Sequence, residues 1–347
     1  MLPSQLESHT LKTLPWQFSI SLRGRKLVGG PLKHHEWTIY DLQYVFLFTL
    51  GLFLFYIIDS PGFALKLVIV ALFAIGLCHP VSRIFVLPFL PVACWLILFY
   101  ACRFIPGERR PHIYVSLLPT LENILYGDNL SAIIATHTNV IKDVLAWFPY
   151  GVVHFTIPFI TSAGLWWFGP PGILRVFASA FGYMNIAGVL TQLAFPCSPP
   201  WYEYTYGLNT PANYEMHGHP GGLARIDELF NTNTYTTTFG GSPMVFGAFP
   251  SLHSGCAIIQ ALFISYLAPK LRAFCFAYVM WIWWACMYLT HHYMVDLVGG
   301  GVYAGVAFWC AWKWLPPVHK GLSTRWDYLK EGLLPTHDDY IRDSTAL

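Results

Sequence analysis

Two histidines and one aspartate stand where apolar runs begin or end. His253 lies in "FPSLHSGCA", residues 249–257, and His292 and Asp296 lie in "THHYMVDLVGGG", residues 290–301. His292 and Asp296 are four apart, which is one helical turn and one face. A carboxylate at that spacing can hold one imidazole nitrogen protonated and leave the other free as a nucleophile. A second imidazole, His253, can then act as general acid and later as general base. Asp296 also needs a partner, because an Asp at a membrane helix centre is unfavourable by about 2.5–3.5 kcal/mol. Two histidines plus an aspartate suit phosphoryl transfer through a phosphohistidine, provided that cations cradle the phosphate.

The stretch "RFIPGERRP", Arg103 to Pro111, offers those cations with the spacing basic-x6-Arg-Pro. Guanidinium forks match phosphate oxygens in a bidentate way. Each element alone has a plainer reading. Arg103–Arg110 alone is a solvated loop, and His-x-x-x-Asp alone is a weak signal. His79, His112 and His154 read as interfacial anchors. The three elements in order, and on one face of a membrane, point instead to a site.

The rest of the chain must position them. It has 347 residues, 55% hydrophobic and only 11% charged, against roughly 25% charged in soluble domains. Aromatics reach 17% and include the Trp and Tyr that favour membrane interfaces. This reads as an all-α integral membrane protein, a polytopic bundle of six to eight transmembrane helices. A formal charge of +2 and the lack of a basic arm speak against a nucleic-acid partner. The eight cysteines fall mostly inside apolar runs without CxxC spacing, and read as packing residues rather than disulfides or metal ligands.

A bilayer core takes about 20 apolar residues per helix. The runs are 42–58, 64–78, 84–102, 144–168, 173–195, 252–268, 271–289 and 297–315. The hairpin at 144–195 is interrupted by Pro149, His154, Pro158 and Arg175; without it the count is six. Either count puts residues 103 and 251 on one side. With a cytosolic N-terminus, fourteen Lys and Arg face the cytosol and six face the other side, in keeping with the positive-inside rule. Both termini are then cytosolic. The division expected is a cytosolic segment 1–39, a transmembrane catalytic domain 40–315 and a cytosolic tail 316–347.

The ordered set resembles the type 2 phosphatidic acid phosphatase superfamily of membrane phosphotransferases, which implies a six-helix lipid phosphatase-like core. Arg103 takes the place of a lysine, and Arg110 and Pro111 match the first motif. Pro250, Ser251 and His253 match the second, with Leu252 where the phosphatases have glycine. His292 and Asp296 match the third. Six positions before His292, where the phosphatases have Arg, stands Cys286. Arg225 and Lys142 are the candidate substitutes for that phosphate ligand.

Longer stretches narrow the resemblance. "PTLENILYGDNLSAII", "CSPPWYEYTYGLNTPANYEMHGHPGGLARIDELF" and the two histidine stretches are similar to the fungal inositol phosphorylceramide synthases, the target of aureobasidin A. The resemblance implies a Golgi transferase with a lumenal site, without cofactor or metal. It would move phosphoinositol from phosphatidylinositol to the primary hydroxyl of ceramide and release diacylglycerol. His292 would attack phosphorus, His253 would serve as acid and base, and Asp296 would orient His292. A small membrane regulatory subunit is the partner implied. The alternatives are a lipid phosphate phosphatase, another sphingolipid head-group transferase, or a transporter using the His/Asp pair structurally.

The 197–250 loop, expected to be lumenal, is long enough to be functional and carries polar side chains able to read inositol hydroxyls. Residues 120–142 have apolar positions at helical spacing and are expected to lie along the membrane surface. Asn129-Leu130-Ser131 is a glycosylation sequon, expected to be unused if that helix packs on the bilayer. Gly299, Gly300 and Gly301 allow close helix packing.

Overall fold

A computed structural model describes residues 39–318 and 323–332. Lys12, Arg23, Arg25, Lys26, Lys33 and nearly all of the N-terminal segment expected to be cytosolic lie outside the described residues, as does most of the tail. The described residues form helices α1 (Leu42–Ile57), α2 (Phe63–Cys78) and α3 (Pro80–Ala101), then three short helices, α4 (Leu117–Tyr126), α5 (Leu130–Ala135) and α6 (Val140–Trp147). A π-helical turn, Phe148–Val153, joins α6 to α7 (His154–Phe168), and α8 is Ile173–Ala194. The next segment contains α9 (Pro200–Tyr206), α10 (Ala224–Phe230) and α11 (Thr234–Gly240). Then follow α12 (Leu252–Leu267), α13 (Arg272–Tyr288), α14 (Met294–Ala311) and α15 (Arg325–Lys330).

Each of the eight expected apolar runs is a helix. Among the described residues, five stretches are long and apolar enough to cross a membrane: Val81–Phe104, Val140–Phe168, Ile173–Ala194, Pro269–Tyr288 and Met294–Trp314. Both arms of the interrupted 144–195 hairpin are among them. Leu42–Ile57, Phe63–Cys78 and Leu252–Leu267 are shorter apolar helices. The protein is a multi-pass membrane helix bundle.

Helix α12 is the hub, packing on α7, α8, α13 and α14, while α3 packs along α8. Helices α1 and α2 pack chiefly on α3, and the Tyr183 hydroxyl of α8 donates to Gln43 of α1 at 3.2 Å. Helices α1 and α2 expose Phe48, Tyr56, Phe63 and Leu72, as lipid-facing helices do. Proline and glycine decide the close approaches. Pro88 and Pro91 lie inside α3, and a β-carbon at Gly182 of α8 would come within 2.6 Å of the Pro91 backbone. At Gly300 of α14 it would sit 2.1 Å from the Ser251 carbonyl. The Gly299–Gly301 run is thus where α14 crosses the start of α12.

At one end of the bundle the connecting segments are pinned together. Isolated bridges join Tyr114 to Cys197 and Cys197 to Gly247. The 197–250 segment is an ordered cover, folded back on residues 111–115 and on the link between α13 and α14. The apolar residues of 120–142 do occupy helices, with Ile124, Leu125, Ile133 and Ile141 exposed.

Candidate active site

His253 comes from the first turn of α12. Ser251 caps that helix, its hydroxyl accepting the Ser254 amide at 3.3 Å. The Ser251 amide donates to the Asp296 carbonyl at 3.0 Å, and the Ser254 hydroxyl donates to the Leu297 carbonyl at 2.6 Å. These bonds tie the start of α12 to the start of α14 and bring His253 to the third motif.

His292 sits in the short link between α13 and α14. The amides of His291 and His292 both donate to the Cys286 carbonyl, at 3.0 and 3.3 Å. Thr290 adopts φ 61°, uncommon for a β-branched residue. The cover buttresses this turn. Trp201 donates its amide to the Thr290 carbonyl, and Gly222 to that of Leu289, both at 2.9 Å. A β-carbon at Gly221 would lie 2.4 Å from the Leu289 oxygen, so only glycine admits this approach. The His291 ring nitrogen Nε2 is 3.0 Å from the Pro220 carbonyl, to which it can only donate.

The three residues form a relay. His292 Nδ1 is 2.8 Å from Asp296 Oδ2, and His292 Nε2 is 3.2 Å from His253 Nδ1. A carboxylate only accepts, so Nδ1 of His292 carries the proton and Nε2 keeps its lone pair, which takes the Nδ1–H of His253. Asp296 is fully buried, and its Oδ1 has no hydrogen-bond partner among the described residues. Its hydrogen bond to a side chain is the one that orients His292. Burial pushes His292 and His291 down to about 3, so both rings are neutral at physiological pH. This is a nucleophile with a general acid or base on one side and an orienting carboxylate on the other.

His253 also stands in a column of rings. Tyr150, from the π turn, stacks on it with centroids 4.3 Å apart and 17° between planes, and His154 follows at 4.4 Å. Tyr150 in turn stacks on His291 at 5.2 Å, and Phe239 of the cover stacks on His291 at 4.6 Å. His154 is therefore no mere interfacial anchor, because its ring lies against the candidate acid/base. The sequence signal was the four-residue spacing of Tyr150 and His154, hidden by Pro149 and by the π turn. Neither His291 nor Tyr150 was singled out from the sequence.

The cations are placed differently. Arg110 donates to the carbonyls of Ile105, Cys102 and Pro243 and lies over Tyr214. It lines a small cavity with Gln192, which donates to the Pro250 carbonyl. Arg103 lies over the ring of Tyr100 at 4.4 Å. Lys142 donates to the His137 carbonyl at 3.0 Å. Arg225 pairs with Asp143, Nε at 2.8 Å and Nη2 at 2.7 Å from Oδ1, and lies over Tyr288. A β-carbon at Gly222 would meet Arg225 Nη2 at 2.9 Å and Leu289 Cα at 3.0 Å. Arg225 is thus beside the turn that carries His292. At the sequon, the Asn129 side chain caps α5 and donates to Glu203 at 3.0 Å.

Asp227 holds the cover in shape. It accepts the amides of Tyr235 and Thr236 and the hydroxyls of Thr232 and Thr236. Burial pulls its carboxyl upward, but these bonds outweigh burial and leave it below its ordinary value. A depressed carboxyl stabilises above the unfolded-state value, and that stability is lost as pH falls through the folded-state value. Asp227→Ala is expected to destabilise by about 1–3 kcal/mol at neutral pH. The gap from wild type, read by thermal melts in detergent, should shrink as pH drops below about 4; a gap independent of pH would contradict the assignment.

Comparison with known proteins follows the same residues. The PAP2 superfamily model matches residues 117–310, which include His253, His292 and Asp296 and leave out Arg103 and Arg110. The chain is 54% identical to the Schizosaccharomyces pombe inositol phosphorylceramide synthase catalytic subunit, over 86% of this chain and 70% of that one. It is 46% identical to the inositol phosphorylceramide synthase of Candida albicans, over 94% and 68%. With the Saccharomyces cerevisiae catalytic subunit the identity is 49%, over 83% and 71%. No solved structure matches the chain significantly. A His-His-Asp relay, buried at His292 and Asp296, inside a matching family region, with such identity along most of the chain, places this protein in the PAP2 superfamily and, within it, among the inositol phosphorylceramide synthases.

Proposed function

We propose that this chain transfers phosphoinositol from phosphatidylinositol to the primary hydroxyl of ceramide, with a phosphohistidine between the two half-reactions. The observation that carries the mechanism is the 3.2 and 2.8 Å relay from His253 through His292 to Asp296. In the first half, the lone pair of His292 Nε2 attacks phosphorus. The bond from phosphorus to the diacylglycerol oxygen breaks, and protonated His253 gives that oxygen its proton. Asp296 balances the positive charge that His292 acquires. In the second half, the ceramide hydroxyl attacks phosphorus, its proton passes to neutral His253, and the P–N bond electrons return to Nε2. Atoms and charge balance, and His253 is again protonated for the next donor.

Arg103, Arg110, Ser251, Arg225 and Lys142 are proposed to bind the substrate's phosphate and headgroup. Arg225 is favoured as the substitute for the arginine missing at Cys286, because it sits beside Leu289 and Tyr288. Residues 40–315 form the catalytic domain in this reading, and 1–39 and 316–347 the two cytosolic segments. The Lys and Arg distribution supports a site on the non-cytosolic face of the membrane; the Golgi lumen is the location proposed, and a small membrane regulatory subunit the partner proposed.

The test uses purified protein in detergent with fluorescent ceramide and either phosphatidylinositol or phosphatidylcholine. An inositol-bearing ceramide product from phosphatidylinositol alone supports the proposal. Release of inositol phosphate without a ceramide product would make the chain a hydrolase. A product from phosphatidylcholine would make it a different head-group transferase.

A further inference from the structure

Helix α4 has two unlike faces. Ile124 and Leu125 are exposed on one, and Glu122 is fully buried on the other. The Glu122 carboxylate accepts the Met294 amide through Oε1 at 3.1 Å and the Val295 amide through Oε2 at 3.0 Å. These are the first two residues of α14, and the residue before them, Tyr293, supplies no side-chain cap. The early amides of a helix have no partner within it, and an anion at that end is favoured by the helix dipole. The next residue along α14 is Asp296.

We propose that Glu122 is a positioning residue for the His292–Asp296 pair, capping from a separate helix the element that carries Asp296. It touches no reacting atom. It acts by fixing where the first turn of α14 stands. That turn is held from two sides: Glu122 takes the amides of 294 and 295, while Ser251 and Ser254 bond the carbonyls of 296 and 297. Loss of Glu122 leaves only the second side. The Asp296 carboxylate then shifts with a turn held from one side alone, and His292 loses its fixed aim at phosphorus. A helix at the edge of the bundle is in this way joined to the centre of the chemistry, through a side chain with no motif around it.

The inference rests on the transfer reading above, and its test separates the two. Glu122→Gln and Glu122→Ala are prepared in the full chain, and kcat, KM for each lipid and the thermal midpoint are measured in detergent. Gln keeps one accepting oxygen but turns an NH2 group toward the other amide. A displaced supporting group typically costs ten- to a hundredfold. The expected result is a kcat lower by about tenfold for Gln and about a hundredfold for Ala, with both KM values within about twofold of wild type. Unchanged kcat per folded enzyme in the Gln variant, or a loss confined to KM, overturns the proposal. Should the Ala variant not fold, the isosteric Gln variant decides alone. Failure of the wild type to make the inositol-bearing product would sink the transfer reading instead.

Discussion

Replacing His292 with alanine is expected to abolish transfer, with kcat falling on the order of 10⁵-fold. No other group on the relay can replace it. His253 keeps its Nδ1 in contact with His292, and Asp296 is buried behind it. The variant should still fold, because the amide of His292, not its ring, makes the turn's bond to the Cys286 carbonyl. The measurement is transfer from phosphatidylinositol to fluorescent ceramide, together with capture of labelled enzyme in an alkaline denaturing quench, which spares a phosphorus–nitrogen bond. Wild type should yield an acid-labile labelled protein, and the variant none. Product at more than a few per cent of wild type would place the nucleophile elsewhere. Asp296→Asn should fall about 10⁴-fold, because the amide can donate to Nδ1 and so favour the wrong tautomer.

His253→Gln should separate the two halves of the reaction. With the natural donor the departing alkoxide needs a proton, and loss of a general acid typically costs 10²–10⁴-fold. An aryl phosphoinositol ester leaves without one. The variant should therefore form labelled enzyme from the aryl donor at a rate within about tenfold of wild type. It should then stall, because ceramide's hydroxyl has lost its base. Equal losses with both donors would reduce His253 to a spacer, and rapid turnover of the label would assign the base to another residue, with His154 at 4.4 Å the first to examine.

The bundle was legible because apolar runs long enough to span a bilayer have few other readings. Helix ends shifted by a few residues, where Arg272 and Met294 begin helices that hydropathy alone starts elsewhere. His253, His292 and Asp296 were legible because the chemistry demands particular side chains at a particular spacing. The surrounding rings were not. Tyr150 and His154 reach His253 only through a π turn and the packing of α7 on α12, neither of which leaves a local pattern. Glu122 was invisible for a similar reason, since its partners are backbone amides 172 and 173 positions away. The arginines were legible only in part. Their spacing marks a basic segment, but the bonds from the Arg110 fork to carbonyls of its own loop and of Pro243 leave no trace in side-chain type.

The direct contact between the two imidazoles has a consequence for idle turnover. At 3.2 Å the rings leave no room for a phosphorus atom, so the resting protein is a closed lock with its reactive lone pair already engaged. A free phosphate or a water-soluble ester has only its headgroup with which to prise the rings apart. A lipid brings acyl chains whose contacts lie far from phosphorus, and that remote binding energy can be used to open the lock. Selectivity for membrane-anchored donors over the phosphates dissolved around them then follows from one hydrogen bond that must be broken before any chemistry begins.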